Sequence, residues 1–439
     1  MDLRHHEPSG YILGPGNNTY VAHCHHYNCF LQRTLRSNAS LGMDAVLVDT
    51  AGMLFYLAFA IHFRRDGAAL SQAEQLAYIE AFFKARGYGN PVVTAALDSG
   101  TVTATASHYS SGYRAKFGHQ NEPQDFFLTG ALQGALMAVV GHDVTVTQTA
   151  CLSMGDAENV WSVELHPASK ERLRAYVADA KRIRDGRRSI SFAEAPGKRT
   201  AQAVTSSVRN MKFLGDEEEG LIPAFNVYLT FLPSLYYTIC SVTFMERLAA
   251  RGLPASLGAR LLKEAGQVCG FYTFGNIMLS SEFALLQQAS FGSRATTTES
   301  LLTLFGVVNA LGWGYWRLED FSGETLTFSS FNGYESFNMR EYFGVTDDAV
   351  CYLLLGVSEA ILNSVYDGDI LSYGGAIDQD YVNRVFENGD GFVARETSCF
   401  ATGDAFCTIT VGRDDGDAAA LDSSARHRTF FDSARSKMG

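Results

Sequence analysis

The chain has 439 residues, 46% hydrophobic and 19% charged, so it is long enough for two or three domains and too apolar to be disordered. A formal net charge of −12 excludes a broad phosphate-binding surface, and nucleic acid is not the expected partner. The polar start MDLRHHEPSG lacks an apolar signal core, which points to the cytoplasm, where eight cysteines are better explained by metal binding or catalysis than by disulfides.

HCHHYNC, residues 23–29, gathers His23, Cys24, His25, His26 and Cys29 just before an amphipathic helix. On a helix, His25 and Cys29 lie four apart and share a face. Histidine with cysteine suits zinc, iron or copper, and a cysteine beside a histidine is also the arrangement of an activated nucleophile. His25, His26 and Cys29 are therefore the catalytic candidates, and His108, His119 or His142 are available to complete such a site. The alternative is plain surface histidines at a polar helix start. The apolar run AGMLFYLAFAIHF, 51–63, is 13 residues, too short to cross a bilayer and typical of a buried helix, so no membrane partner is expected. Another helix begins near Ser71, an N-cap residue. VVTAALDSGTVTATASHY alternates around Asp98-Ser99-Gly100 as a hairpin. FFLTGALQGALMAVVG is a further helix, and a closing strand pair carries CLSMGD, 151–156. Residues 166–190 read as a charged connecting helix, followed by a polar loop to about residue 219.

The order then repeats. ASLGMDAVLVDTAGMLFY (39–56) matches ASLGARLLKEAGQVCGFY (255–272), and CFLQRTL (29–35) matches TFMERLA (243–249). SQAEQLAYIEAFFKARGYG (71–89) matches TTTESLLTLFGVVNALGWG (296–314), and CLSMGD matches CFATGD (399–404). Four matches in one order imply a duplication. The second hairpin turns at Ser322-Gly323. The expected fold class is α+β: two tandem copies of a helical plus antiparallel-sheet ligand-binding domain, packed as a pseudo-dimer. Residues 1–165 form the first copy, 166–219 the helix and linker, 220–411 the second copy and 412–439 a flexible tail.

The second copy closes on ETSCFATGDAFC, 396–407. Two thiolates and a carboxylate, Glu396, Cys399 and Cys407, are reasonable zinc ligands around a turn that Gly403 frees and Asp404 fixes. Two buried free cysteines are the alternative. The pattern resembles the 4-vinyl reductase-type domain of phenol- and xylene-responsive activators, whose signature is Glu-x-x-Cys, a Gly-Asp-like pair, then Cys. That resemblance implies a further ligand on the preceding helix, where VCYLLLG supplies Cys351, giving a metal set of Cys351, Glu396, Cys399 and Cys407 for zinc, with iron as the other option. Cys351 and Glu396 are 45 positions apart, longer than the family pattern. The extra segment reads as a lid or an oligomer contact, or else Cys351 is not a ligand. In the first copy the matching positions are Asp125, Gln148, Cys151 and Asn159, a degenerate set.

The resemblance also implies a pocket for a hydrophobic or aromatic small molecule, for which Trp313, Trp316, Phe331 and Tyr334 are candidates. The expected function is a metal-stabilised binding protein for such a molecule, serving a pathway or protein partner or acting as a homodimer. The alternative is a zinc or iron enzyme that uses the His/Cys cluster of the first copy.

Overall fold

The computed structural model describes residues 3–14, 18–65, 70–95, 99–186, 192, 202–292, 295–388 and 391–413. Asp98 of the expected turn, most of the linker at 187–201 and the expected tail from 414 lie outside the described residues.

The first half opens with strands β1 (Arg4–His6), β2 (Tyr11–Leu13) and β3 (Thr19–Cys24). Helices α1 (His25–Leu35), α2 (Met43–Arg65) and α3 (Gln72–Ala85) follow, then strands β4 (Val92–Ala95) and β5 (Ser99–Ala104). Helices α4 (His108–Phe117) and α5 (Phe126–Val140) lead to β6 (Asp143–Ala150) and β7 (Asn159–His166). Two helices connect the halves, α6 (Glu171–Gly186) and α7 (Gln202–Arg209). The second half begins with β8 (Ile222–Ala224), β9 (Val227–Pro233), α8 (Ser234–Ala249) and α9 (Ala255–Val268), which a π-helical turn at Cys269–Phe274 joins to α10 (Gly275–Met278). After α11 (Ser281–Phe291) and α12 (Thr297–Ala310) come β10 (Tyr315–Ser322), β11 (Thr325–Phe331) and α13 (Tyr334–Asn338). The chain closes with α14 (Tyr352–Leu362), α15 (Gln379–Asn388), β12 (Phe392–Ser398) and β13 (Cys407–Arg413). This mixture of helices and antiparallel sheets is the α+β class.

Two of the sheets share one strand order, β4-β5-β7-β6 and β10-β11-β13-β12. They also share an irregularity: the register shifts between Gln148 and Ala150 in one and between Glu396 and Ser398 in the other. The third sheet, β1-β2-β3-β9-β8, joins the halves, with Tyr20 opposite Pro233 and Cys24 opposite Leu229. Its strands escaped the sequence reading because β3 and β9 are buried almost throughout, which erases the alternation that marks a half-exposed strand.

Local chemistry sets the helix starts. Ser71 and Glu74 form a capping box on α3, and Thr296 and Glu299 form the same box on α12. The two Ala-Ser-Leu-Gly stretches differ. In the first half Ala39–Leu41 is a separate 3-10 turn capped by Asn38 and ended by Gly42 at φ 61°, whereas after Pro254 the same tetrapeptide is already the first turn of α9. The apolar run 51–63 belongs to a helix of 23 residues, longer than the run itself. By length and composition α2 is sufficient to cross a membrane, yet 61% of its most apolar window is buried inside the protein. The stretch read as polar loop before residue 219 contains α7, whose Val204 and Val208, one turn apart, bury against the second half. The expected lid, 366–391, carries α15 and packs beside the π-helical turn and α10, through Phe271 against Phe386 at 5.4 Å and Ile377 against Gly275.

Glycines let the long helices approach. A methyl group on Gly134 of α5 would fall inside the carbonyl oxygen of Gly52 on α2, and one on Gly356 of α14 would fall inside that of Lys263 on α9. Gly134→Ala is expected to destabilise the fold by about 2 kcal/mol in urea unfolding, although helix propensity alone favours alanine by ~1 kcal/mol. Gly374→Ala, which meets nothing within 4 Å, is expected to change stability by less than about 0.5 kcal/mol.

Candidate metal centre and adjoining cavity

Four side chains from three elements converge in the second half. Cys351 is the N-cap of α14, Glu396 lies near the end of β12, Cys399 follows that strand and Cys407 opens β13. One ligand atom from each lies within 4.8 Å of all the others, the one such group of three or more among the described residues. The Cys351 and Cys407 sulfurs are 3.5 Å apart.

The turn between the strands explains the convergence. The Cys399 amide donates to Asp404 Oδ2 at 2.8 Å, and the Cys399 carbonyl accepts the amides of Thr402 and Asp404. Gly403 closes the turn at φ 112°, a conformation that favours glycine. Cys399 is thereby folded back toward Cys407. Backbone donors then face the cluster: the Phe400 amide reaches Cys407 Sγ at 3.3 Å and the Cys351 amide reaches Glu396 Oε2 at 3.4 Å.

Three thiols and a carboxyl in one buried site cannot all ionise unaided. Hydrogen bonds with Cys399 and Cys407 push the Cys351 thiol up, and burial pushes the Glu396 carboxyl up to about 9. Hydrogen bonds from Cys351 and Cys407 pull Cys399 down, so one thiolate accepts hydrogen bonds from neighbours that keep their protons. Glu396 Oε1 is buried with no hydrogen-bond partner. An orphaned carboxylate oxygen beside three sulfurs is a donor set that fits a cation, and S3O is a four-coordinate set suited to zinc.

The first half holds the same arrangement with one sulfur, Cys151, in place of three. Gln148 Nε2 donates to Asp125 Oδ2 at 3.4 Å and to Asn159 Oδ1 at 3.3 Å. The Asp125 amide donates to Gln148 Oε1, the Cys151 amide to Asp156 Oδ2 and the Leu152 amide to Asn159 Oδ1, each the counterpart of a bond in the second half. Amide and carboxyl oxygens all find donors here, and the one buried atom left without a partner is a donor nitrogen, Asn159 Nδ2, which cannot bind a cation. Burial pushes the Asp125 carboxyl up to about 6, and the bonds from Ser107 and Gln148 only partly offset it.

The His/Cys cluster divides between two elements. His23 and Cys24 end β3, while His25, His26 and Cys29 lie on the first turns of α1. The His25 and His26 rings are 3.9 Å apart, and His25 Nδ1 accepts the Tyr228 amide. Burial holds both histidines below their ordinary value, His25 at about 4. Burial also raises the Cys29 thiol, so it is protonated and weakly nucleophilic. His108 bonds Asn28 at 2.8 Å. His119 sits beside Gly155, and His142 bonds the carbonyl of Asp143; neither joins the cluster.

A cavity of ≈ 430 Å³ opens beside the four-residue cluster, and Val350 and Tyr352, which flank Cys351, form part of its wall. Of the expected pocket residues, Tyr334 lines this cavity; Trp313 and Trp316 border only a void of ≈ 10 Å³ next to Cys351, and Phe331 packs on Phe406 at 4.6 Å. Glu335 joins cavity and cluster. Its oxygens accept the Leu353 and Leu354 amides at 3.1 and 3.2 Å, capping α14, and desolvation raises its carboxyl to about 8. The sequence signal for it was slight, a lone carboxylate in an aromatic run.

No protein-family model matches the chain, and no curated protein matches it. Among solved structures, the phenol-responsive sensory domain of the transcription activator PoxR with phenol is similar at a TM-score of 0.31 and 14% identity, over 37% of this chain and 84% of that one.

The buried Asp125 gives this region a pH signature. Its folded pKa of about 6 lies above the ordinary 3.8, so its contribution is fully present below pH 3.8 and is lost as pH rises through 6. Relative to Asp125→Asn, the parent chain is expected to lose about 3 kcal/mol of unfolding free energy between about pH 3 and 7. Urea titrations of both proteins across that range measure it.

Proposed function

We propose that the chain is a metal-stabilised binding protein for a hydrophobic or aromatic small molecule. The observation that carries this reading is the cluster of Cys351, Glu396, Cys399 and Cys407, whose Cys351 sits in the chain between Val350 and Tyr352, two wall residues of the ≈ 430 Å³ cavity. In this reading the four residues hold one zinc ion. Four protein ligands complete its tetrahedral shell, so the ion is structural: it pins the start of α14 to the β12–β13 turn and thereby shapes the cavity. That completeness disfavours the enzymatic alternative, which wants an open position. The neutral histidines and protonated Cys29 then belong to the packing between the halves.

We further infer that the chain is a tandem duplication of a 4-vinyl reductase-type domain, with copies at 1–165 and 220–411 joined through 166–219. The shared strand order, the matching register shift and the bond-for-bond correspondence of the two clusters support this. The β3–β9 pairing is then the pseudo-dimer contact, and the first copy has lost its metal site.

Elemental analysis of the purified protein is expected to give one zinc per chain. Cys399→Ser and Cys407→Ser are expected to lose it and to lower the unfolding free energy by on the order of 4 kcal/mol. Cys151→Ser, the first-half counterpart, is expected to retain the ion. A metal-free protein whose stability is indifferent to Cys399→Ser defeats the proposal.

A further inference from the structure

The lining of the cavity is asymmetric in charge. Glu246, Asp347 and Asp348 contribute negative charge to it, Glu335 adds a largely protonated carboxyl, and no lysine, arginine or histidine is among the lining residues. Glu246, Asp347 and Asp348 are exposed at its mouth, and Glu335 lies within. The remaining wall is aromatic and thioether: Tyr27, Tyr237, Tyr334 and Tyr352 with Met245 and Met339. The phenol hydroxyls are largely engaged away from the space. Tyr334 shares a hydrogen bond with His23 Nε2 at 3.0 Å, and Tyr237 donates to Asn28 Oδ1 at 2.7 Å. With those two hydroxyls so tethered, a guest meets aromatic rings, whose faces carry the negative part of the quadrupole, and carboxylates at the mouth.

Resting on the small-molecule reading above, we propose that the cavity selects an organic cation, a protonated amine or quaternary ammonium carried on an apolar or aromatic body. Anions are repelled at the mouth by three carboxylates with no basic side chain among the lining residues to compensate. Neutral guests gain only the apolar contacts. A cation gains the same contacts, the ring faces of the tyrosines and the field of the acids. The volume of ≈ 430 Å³ suits a molecule of drug size. The four tyrosines come from both halves, Tyr27 from α1, Tyr237 from α8, Tyr334 from α13 and Tyr352 from α14, so the cage exists only when the halves are joined.

Three probes of one shape and different charge test this on the full chain by titration calorimetry: 2-phenylethylamine, 2-phenylethanol and 3-phenylpropionate. The amine is expected to bind about tenfold tighter than the alcohol, and the propionate more weakly than either. The advantage of the amine should shrink in a Glu246→Gln, Asp347→Asn, Asp348→Asn triple variant, whose substitutions lie on the exposed rim, and in high salt. Ser241→Trp, which fills the cavity, should abolish binding of every probe. An alcohol or propionate that binds as tightly as the amine overturns the cation proposal while leaving the cavity a binding site. Amine binding that survives Ser241→Trp also overturns it. If no probe binds, the small-molecule reading itself falls.

Discussion

Proton sharing among three thiols and a carboxyl is the constraint around which the second half is organised. The group is buried, its members lie within 4.8 Å of one another, and Glu396 Oε1 finds no protein donor. Without a cation, only one member is readily ionised, and the others keep protons at the cost of raised pKa values. With one, all four can ionise together. Three backbone features bring the group together: Gly403 in its left-handed turn, Asp404 on the Cys399 amide, and α14 begun at Cys351.

The first half holds a comparable geometry without that crowding of thiols. Asp125, Gln148 and Asn159 occupy the same places relative to their sheet and helix, and hydrogen bonds among amides and a carboxylate hold them. The turn after Cys151 keeps its Asp156 support. The geometry persists because strand and helix packing sets it, while the side chains decide whether it needs an ion.

Much of the candidate site was legible in the sequence because its signals are local. Glu396, Cys399 and Cys407 share one strand-turn-strand, and the spacing alone suggested convergence. Cys351 came only through resemblance, since a helix start 45 residues earlier leaves no spacing to read. Ser71 marked a helix start because capping chemistry is confined to four residues, and the structure completes it as a capping box with Glu74. What escaped was non-local. The inter-half sheet is too buried to alternate, α7 was hidden in a polar stretch by its short length, and the tryptophans read as pocket residues pack with Phe274 and Phe305. Glu335 gained its position from α14, an element outside its own segment.

The pairing of β3 with β9 carries a consequence for how the molecule comes into being. Tyr20 meets Pro233 across almost half the polypeptide's length, so this ladder has very high contact order. During synthesis β3 must wait, its edge bare, until the ribosome delivers its partner, and an unpaired buried-type strand is a template for foreign pairing. Fragments divided in the linker would each inherit such an edge. Mutual rescue of those fragments on mixing, or their precipitation apart, is what the ladder implies.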